Sequence, residues 1–509
     1  MITISGTEHR NRYYVLALLL IVMVGILLRS VEIVNGNYLF GHDQGRDYLY
    51  AYDMVENGHI RLIGAELGAG ASGISGVFHG PGYLYLLSII YILFQGDPIG
   101  GIWMMLFFNI LALALTYIVG MRISGKGLAL TALFLTAVSS SMAAEARFLW
   151  NPFPATSLVL LILYVVYLMP RNPRLYFPIA LFLAGSTYHF EMAVMVPLII
   201  TIVVYVVTVL RLTDRRAYMY AGAAVLSSLA PFIVFEVRHG FQAIHGLVTY
   251  IQNPPGNTLM FHLFILRDHA YDYWYNFVGT FFNNAFINYS FLHISLAMLL
   301  VYGTWCVLKD GSGDIRKFSL FLLLSPVISW IVMYVLIKNR IWDHYLLHLH
   351  SVYIFLFAIS FMWFINHKKW HVVYLYAFFI VIFALNGIHR TYRVWKYDFN
   401  DTGGTHKIAG KKEVIDAVYA DSAGEPFNVM VFSPPIYTYP YDYLFLWHGK
   451  KTYGYVPGNK KEGTVYLIVE PDPSNPYSVQ GWKDTVVAGG ETIFTKRLPS
   501  GFEIEKRIW

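Results

Sequence analysis

Apolar runs long enough to cross a lipid bilayer as helices recur from residue 13 to residue 388, and that hydropathy pattern restricts the chain to one broad class of fold. The hydrocarbon holds no water to satisfy backbone N–H and C=O groups, so a run of this length folds as a helix that bonds to itself. Composition agrees. Of 509 residues, 56% are hydrophobic and 13% charged, against roughly 25% charged in soluble domains. The pattern predicts a polytopic α-helical membrane protein with about eleven transmembrane helices, at 13–34, 98–121, 128–144, 153–169, 175–188, 192–210, 217–236, 291–308, 318–337, 345–365 and 372–388. The first run lacks a small-residue cleavage site and reads as a retained helix.

Basic residues orient these helices. His9, Arg10 and Arg12 precede the first run, and the basic loops 122–126, 171–174, 211–216, 309–317 and 367–371 all fall on the same side if the helices alternate, which predicts a cytoplasmic N-terminus. The alternation requires the short run 81–94 to lie along the membrane surface as a juxtamembrane helix. Segments 35–97 and 238–290 then face the extracytoplasmic side, and both are too long to be plain connectors. Glycine-rich 64–76 reads as a flap in the first. Beyond residue 388 the hydropathy collapses. Helical periodicity at 411–420, apolar runs of strand length at 427–433 and 464–470, and a closing pair at 491–497 and 501–509 predict a small α/β soluble domain. The expected division is 1–390 for the membrane domain and 391–509 for an external domain, in a multi-pass protein of the plasma or inner membrane. The net charge of +6 is scattered over short loops, which argues against a nucleic-acid surface. The single cysteine, Cys306, excludes an intramolecular disulfide and a thiolate metal cluster.

Polar residues gather where the outward loops meet the predicted helices: Asp43, Arg46 and Asp47; His79; Glu145, Arg147 and Asn151; His189 and Glu191; Arg267, Asp268 and His269; Arg340, Asp343 and His344. Ionisable groups at a bilayer boundary are costly unless they face a cavity or one another, so the set points to one shared polar site.

Asp43-Gln44-Gly45-Arg46, the helical stretch ending at Asn57-Gly58-His59, and Phe78-His79-Gly80-Pro81 leading into Gly82-Tyr83-Leu84-Tyr85 carry a resemblance. In order and placement they resemble the first external loop of the GT-C glycosyltransferases, in particular the protein O-mannosyltransferase and aminoarabinose transferase group. The likeness covers roughly 13–210. It implies transfer of a sugar from a polyprenyl-phosphate donor to a lipid, glycan or protein acceptor on the outer side, with inversion at the anomeric carbon. Asp43 matches the family's catalytic aspartate, the general base, and His79 stands where relatives have a Lys or His that contacts donor phosphate. Arg147-Phe148-Leu149-Trp150-Asn151-Pro152 resembles the second external loop, with Asn151 where relatives often have Asp. Gln44 likewise replaces the usual Glu. Both departures remove charge, so a tightly held divalent metal is not favoured and no cofactor is expected.

The chemistry has its own logic. A hydroxyl attacking an anomeric carbon needs a base for its proton, and an ionised Asp serves. The departing phosphate gathers negative charge, so cations placed there help the transition state more than the ground state. Arg340, His344, Arg267 and His269 are candidates for that task, His189 and Glu191 for sugar or acceptor hydroxyls, and Asp47 for holding Arg46. A transporter or flippase of lipid-linked saccharides is the alternative; its usual paired halves are not visible in the sequence. A non-catalytic scaffold leaves the Asp43 to Arg46 cluster without a task.

Overall fold

The computed structural model describes residues 3–67, 76–252, 256, 258–282, 288–401, 403–434 and 437–509. The predicted flap at 64–76 falls largely outside them.

Helix α1 (Thr3–Leu27) stops before the end of the predicted first run. The reason is Arg29, 1% exposed, whose guanidinium turns back onto the carbonyls of Gly25, Thr136 and Ala137 and the Asn109 side chain at 2.9–3.1 Å. A buried guanidinium needs most of its donors satisfied, and here α1 and both arms of α5 supply the acceptors. A short α2 (Val31–Asn35) follows. Then come α3 (His42–Glu56) and α4 (Gly82–Leu93), the two helices of the first long segment.

The 40 residues Ile99–Val138, α5, are two helices joined at Ser124 and Gly125, whose backbone leaves the helical region. Gly125 has φ 76°, a left-handed conformation that glycine adopts without strain. The arms fold back on each other so closely that a Cβ on Gly120 would lie 2.6 Å from Ala129 Cα. Predicted spans 98–121 and 128–144 are thus an antiparallel pair. After α6 (Ser140–Ala144), helices α7 (Ala155–Leu168), α8 (Pro173–Ser186) and α9 (Met192–Tyr205) continue the bundle. Next, α10 (Arg215–Ser228) and α11 (Ala230–Arg238) meet at a 65° bend, as Pro231 at the start of α11 dictates. The second long segment holds α12 (Gln242–Gln252) and α13 (Leu259–Phe281). Helices α14 (Ser290–Asp310), α15 (Gly313–Leu336), α16 (Leu347–Asn366) and α17 (Trp370–Arg393) complete the bundle. Each predicted run is helical. Among the described residues, by length and apolarity alone, six helices are fit to cross a membrane, seven with the bent pair, and α4 is among the shorter apolar ones. Central α16 is the most enclosed, 83% buried over its apolar window.

The tail forms α18 (Ile408–Ser422), α19 (Tyr439–Leu444) and a four-stranded sheet: β1 (Asn428–Phe432), β2 (Thr464–Val469), β3 (Glu491–Arg497) and β4 (Glu503–Ile508), in the order β1-β2-β4-β3. β1 and β2 are parallel, the other pairs antiparallel. Thr464-Val465-Tyr466-Leu467-Ile468-Val469 is apolar on both faces because both are covered: Tyr466 and Ile468 join the main core, while Val465 and Leu467 pack with Val487. Edge strand β3 is mostly exposed and polar and carries a bulge at Thr492/Phe494, devices that blunt edge-to-edge pairing.

This tail is sewn to the first segment. Phe40 N–H donates to the His406 carbonyl at 3.2 Å, Ile408 N–H to the Tyr38 carbonyl at 2.9 Å, and the Tyr443 hydroxyl to the Gly96 carbonyl. Gly45 of α3 touches the α19 backbone, so that a Cβ there would lie 2.4 Å from Pro440 N. Gly45→Ala therefore forces the two elements apart. We expect a loss of about 1–3 kcal/mol, checked by thermal unfolding in detergent, together with faster proteolytic release of the tail.

Candidate active site

α3 begins at Gly41, where Gln44 Oε1 accepts from the Gly41 N–H at 2.9 Å, so Asp43 lies in the first helical turn without capping it. Its carboxylate accepts from Arg46 at 2.9 Å and lies 3.3 Å from His42 Nδ1. The side chain is 37% exposed. Burial works to raise its pKa, but the His42 bond, the Arg46 charge and the Trp150 side chain outweigh it and hold the group below the usual carboxylate range. Asp43 is thus an ionised carboxylate at neutral pH. Arg46 straddles both acids, bonding Asp47 at 2.8 and 2.9 Å. Asp47, 2% exposed, is pushed upward by burial more than Arg46 pulls it down.

A second group closes around Glu191. It caps α9 by accepting from Ala193 N–H at 3.0 Å and lies 4.0 Å from His79 Nδ1 and 3.7 Å from His344 Nε2. Burial raises Glu191 to about 8 and lowers His79 to about 4. Between those values the proton belongs to the carboxyl and not to His79, so this is a neutral polar group rather than an ion pair, its members 3.7–4.0 Å apart. His344 stacks near Trp150, centroids 4.4 Å apart, which brings the group to the Asp43 side.

Trp150 and His344 also line a cavity of about 590 Å³, with Glu145, Arg147, Asp343, Arg390, Arg393 and Asp398 among its other walls. Glu145, 2% exposed, accepts from the Thr156 hydroxyl at 2.7 Å through Oε2, while Oε1 has no partner among the described residues. Burial raises it to about 8; the Thr156 bond and the Arg29 charge only partly offset this. Arg147 is spent on Glu32 (2.5 and 2.7 Å) and Asp398 (2.5 Å), a bridge between the first segment and the end of the last membrane helix. Arg390 lines the cavity with its Nε unpartnered among the described residues.

The structure thus brings Asp43, Arg46, Asp47, His79, Glu145, Arg147, Glu191 and His344 into one region. It places the others elsewhere or gives them other partners. Arg340 pairs with Asp272 at 2.6 Å. Arg267, 69% exposed, pairs with its neighbour Asp268. His269, fully buried, bonds the Asn339 carbonyl at 2.9 Å. None of these three lines the cavity. His189 holds the Ser228 carbonyl at 3.1 Å and packs under Gly80 and Gly82, where no side chain fits.

Asn151 and Gln44 stand where relatives often have acids, and both are used as amides. Asn151 donates to the Phe190 carbonyl at 2.7 Å, and Gln44 to the Leu149 carbonyl at 2.6 Å while accepting from Gly41. An ionised carboxylate has no proton to donate to a carbonyl. Glu32, Arg390 and Asp398 were not singled out by sequence. Arg390 follows an apolar run, where a basic residue reads as an interfacial anchor, and only its place in the cavity marks it.

No protein-family model matches the chain, and no curated protein matches it in sequence. Solved structures do. ArnT from Cupriavidus metallidurans bound to undecaprenyl phosphate is 10% identical with a TM-score of 0.58, over 97% of this chain and 98% of that one. The archaeal oligosaccharyltransferase AglB from Archaeoglobus fulgidus, in complex with an inhibitory peptide and a dolichol-phosphate, is 15% identical with a TM-score of 0.51, over 97% of this chain and 74% of that one. A likeness at such identities is one of architecture: over nearly its whole length this chain has the fold of ArnT and of AglB.

Proposed function

We propose that the protein is a membrane glycosyltransferase that moves a sugar from a polyprenyl-phosphate donor to an acceptor hydroxyl, with inversion, on the extracytoplasmic side. The observation that carries this is an ionised, partly exposed Asp43 beside a cavity lined by arginines, within a GT-C fold. Asp43 takes the acceptor proton as the acceptor oxygen bonds to the anomeric carbon. The carbon–oxygen bond to phosphate breaks, and polyprenyl phosphate leaves with the electron pair. Arg390 meets the growing phosphate charge, and the neutral His79–Glu191–His344 group offers hydrogen bonds to sugar hydroxyls without adding charge. An apolar groove of about 620 Å³ along Trp274, Met298, Val301 and Trp305, beside cavity-lining Tyr275, suits the polyprenyl chain. The outward placement of the site and of the tail, divided from the membrane domain near residue 390, rests on the basic-loop alternation. The proposal includes no resident metal, because Gln44 and Asn151 stand as amides where relatives often have carboxylates.

Incubation with a labelled polyprenyl-phospho-sugar tests the proposal: release of polyprenyl phosphate that depends on acceptor supports it, and release of none ends it. Donor binding should also follow Glu145. Below about pH 8 its carboxyl is protonated; as pH rises through that value it ionises and places a negative charge beside the donor phosphate. Donor affinity is expected to fall above about pH 8 in the parent protein and to stay flat in Glu145→Gln, measured by equilibrium binding across pH.

A further inference from the structure

Between Asp43 and the sheet of the tail lies an aromatic surface that donor binding does not use. The ring of His42, adjacent to Asp43, has its centroid 4.7 Å from Tyr437 and 5.1 Å from Tyr439. The two tyrosine rings stack at 5.6 Å with 14° between their planes. Tyr437 is 52% exposed. Tyr439 is placed by the backbone, because it and Pro440 open α19 where α19 touches Gly45. Asp43 therefore neighbours both Trp150 and His344, which line the cavity, and His42, which packs against the Tyr437–Tyr439 step. A base that takes a proton from one substrate for attack on another belongs at such a junction.

We infer that this step is the acceptor subsite and that the acceptor is a saccharide, one of whose rings lies on Tyr437 and directs a hydroxyl to Asp43; the inference rests on the transferase function proposed above. The C–H face of a sugar ring is weakly positive and complements the negative face of an aromatic ring. The borders of the step are polar. Thr438 donates to Asp442 at 2.9 Å beside it, and His42 and Asp43 stand at its inner end, so ring hydroxyls find partners while a hydrocarbon chain meets charges.

The test is saturation-transfer NMR on the full-length protein in lipid nanodiscs, with chitotriose, mannotriose and a Gly-Pro-Ser tripeptide as probes and undecaprenyl-phosphate affinity measured alongside. At least one trisaccharide is expected to receive saturation on its ring protons. Its affinity is expected to fall roughly five- to tenfold in Tyr437→Ala and to persist in Tyr437→Phe, which keeps the ring face; undecaprenyl-phosphate affinity stays constant. Binding of the tripeptide alone, binding of no trisaccharide, or equal trisaccharide binding in Tyr437→Ala overturns the inference. Donor consumption separates the two proposals. If the parent protein consumes polyprenyl-phospho-sugar and Tyr437→Ala leaves trisaccharide binding unchanged, only the acceptor subsite falls; if the parent consumes no donor, the transferase function falls.

Discussion

Asp43→Asn lowers turnover by about 10²- to 10⁴-fold, the usual cost of removing a general base, while donor affinity moves far less. Asparagine keeps the shape and the acceptor oxygen but cannot take the proton. Two features keep this from being a folding defect. Asp43 does not cap α3, whose start is held by Gly41 and Gln44. Arg46, 12% exposed, keeps its pair with Asp47 when Asp43 is neutralised, so no unpaired buried charge is left behind. Asp47→Asn should be milder in turnover and costlier in stability, because Asp47 is 2% exposed and anchors the same guanidinium. Turnover and donor binding measured for both variants check this. Near-normal turnover in Asp43→Asn removes the residue from catalysis.

Arg390→Ala weakens binding of undecaprenyl phosphate by about 10- to 100-fold, as expected for loss of a charge-assisted bond worth about 1.5–3 kcal/mol. Availability singles out Arg390. Arg46, Arg147, Arg267 and Arg340 all hold carboxylates, and a guanidinium so engaged must give up a partner before it can hold a phosphate. Arg390 has an unpartnered Nε and lines the cavity. Arg390→Lys keeps the charge but not the planar fork and should recover part of the affinity. Arg340→Ala, which breaks a pair outside the cavity, should leave it unchanged. Equal losses in Arg390→Ala and Arg340→Ala would mean that the cavity is not where phosphate binds.

Much of the fold was legible because its causes are local. Apolar runs of membrane length become helices wherever they stand, so all eleven predicted runs are helical, and even the break at Ser124-Gly125 falls within the basic loop 122–126. In the tail, alternating and continuous apolar runs placed the strands to within a residue or two. The first run failed as a single span because Arg29 finds its carbonyl partners on another helix, at residues 136 and 137.

Hydropathy and periodicity along the chain determined by themselves the membrane class, the helices, the α/β tail and the cluster of polar residues from which the site is drawn. Which of those residues remain free for chemistry was decided only by tertiary structure, because charges are neutralised by whatever the fold brings near. Arg147 meets Asp398, 251 residues away, and Arg340 meets Asp272. Arg390 is left facing a cavity, and Gly45 admits Pro440 so that tyrosines of the tail reach His42, the residue before the base. None of these approaches is encoded in a local window: each depends on two distant segments arriving at the same few ångströms of space.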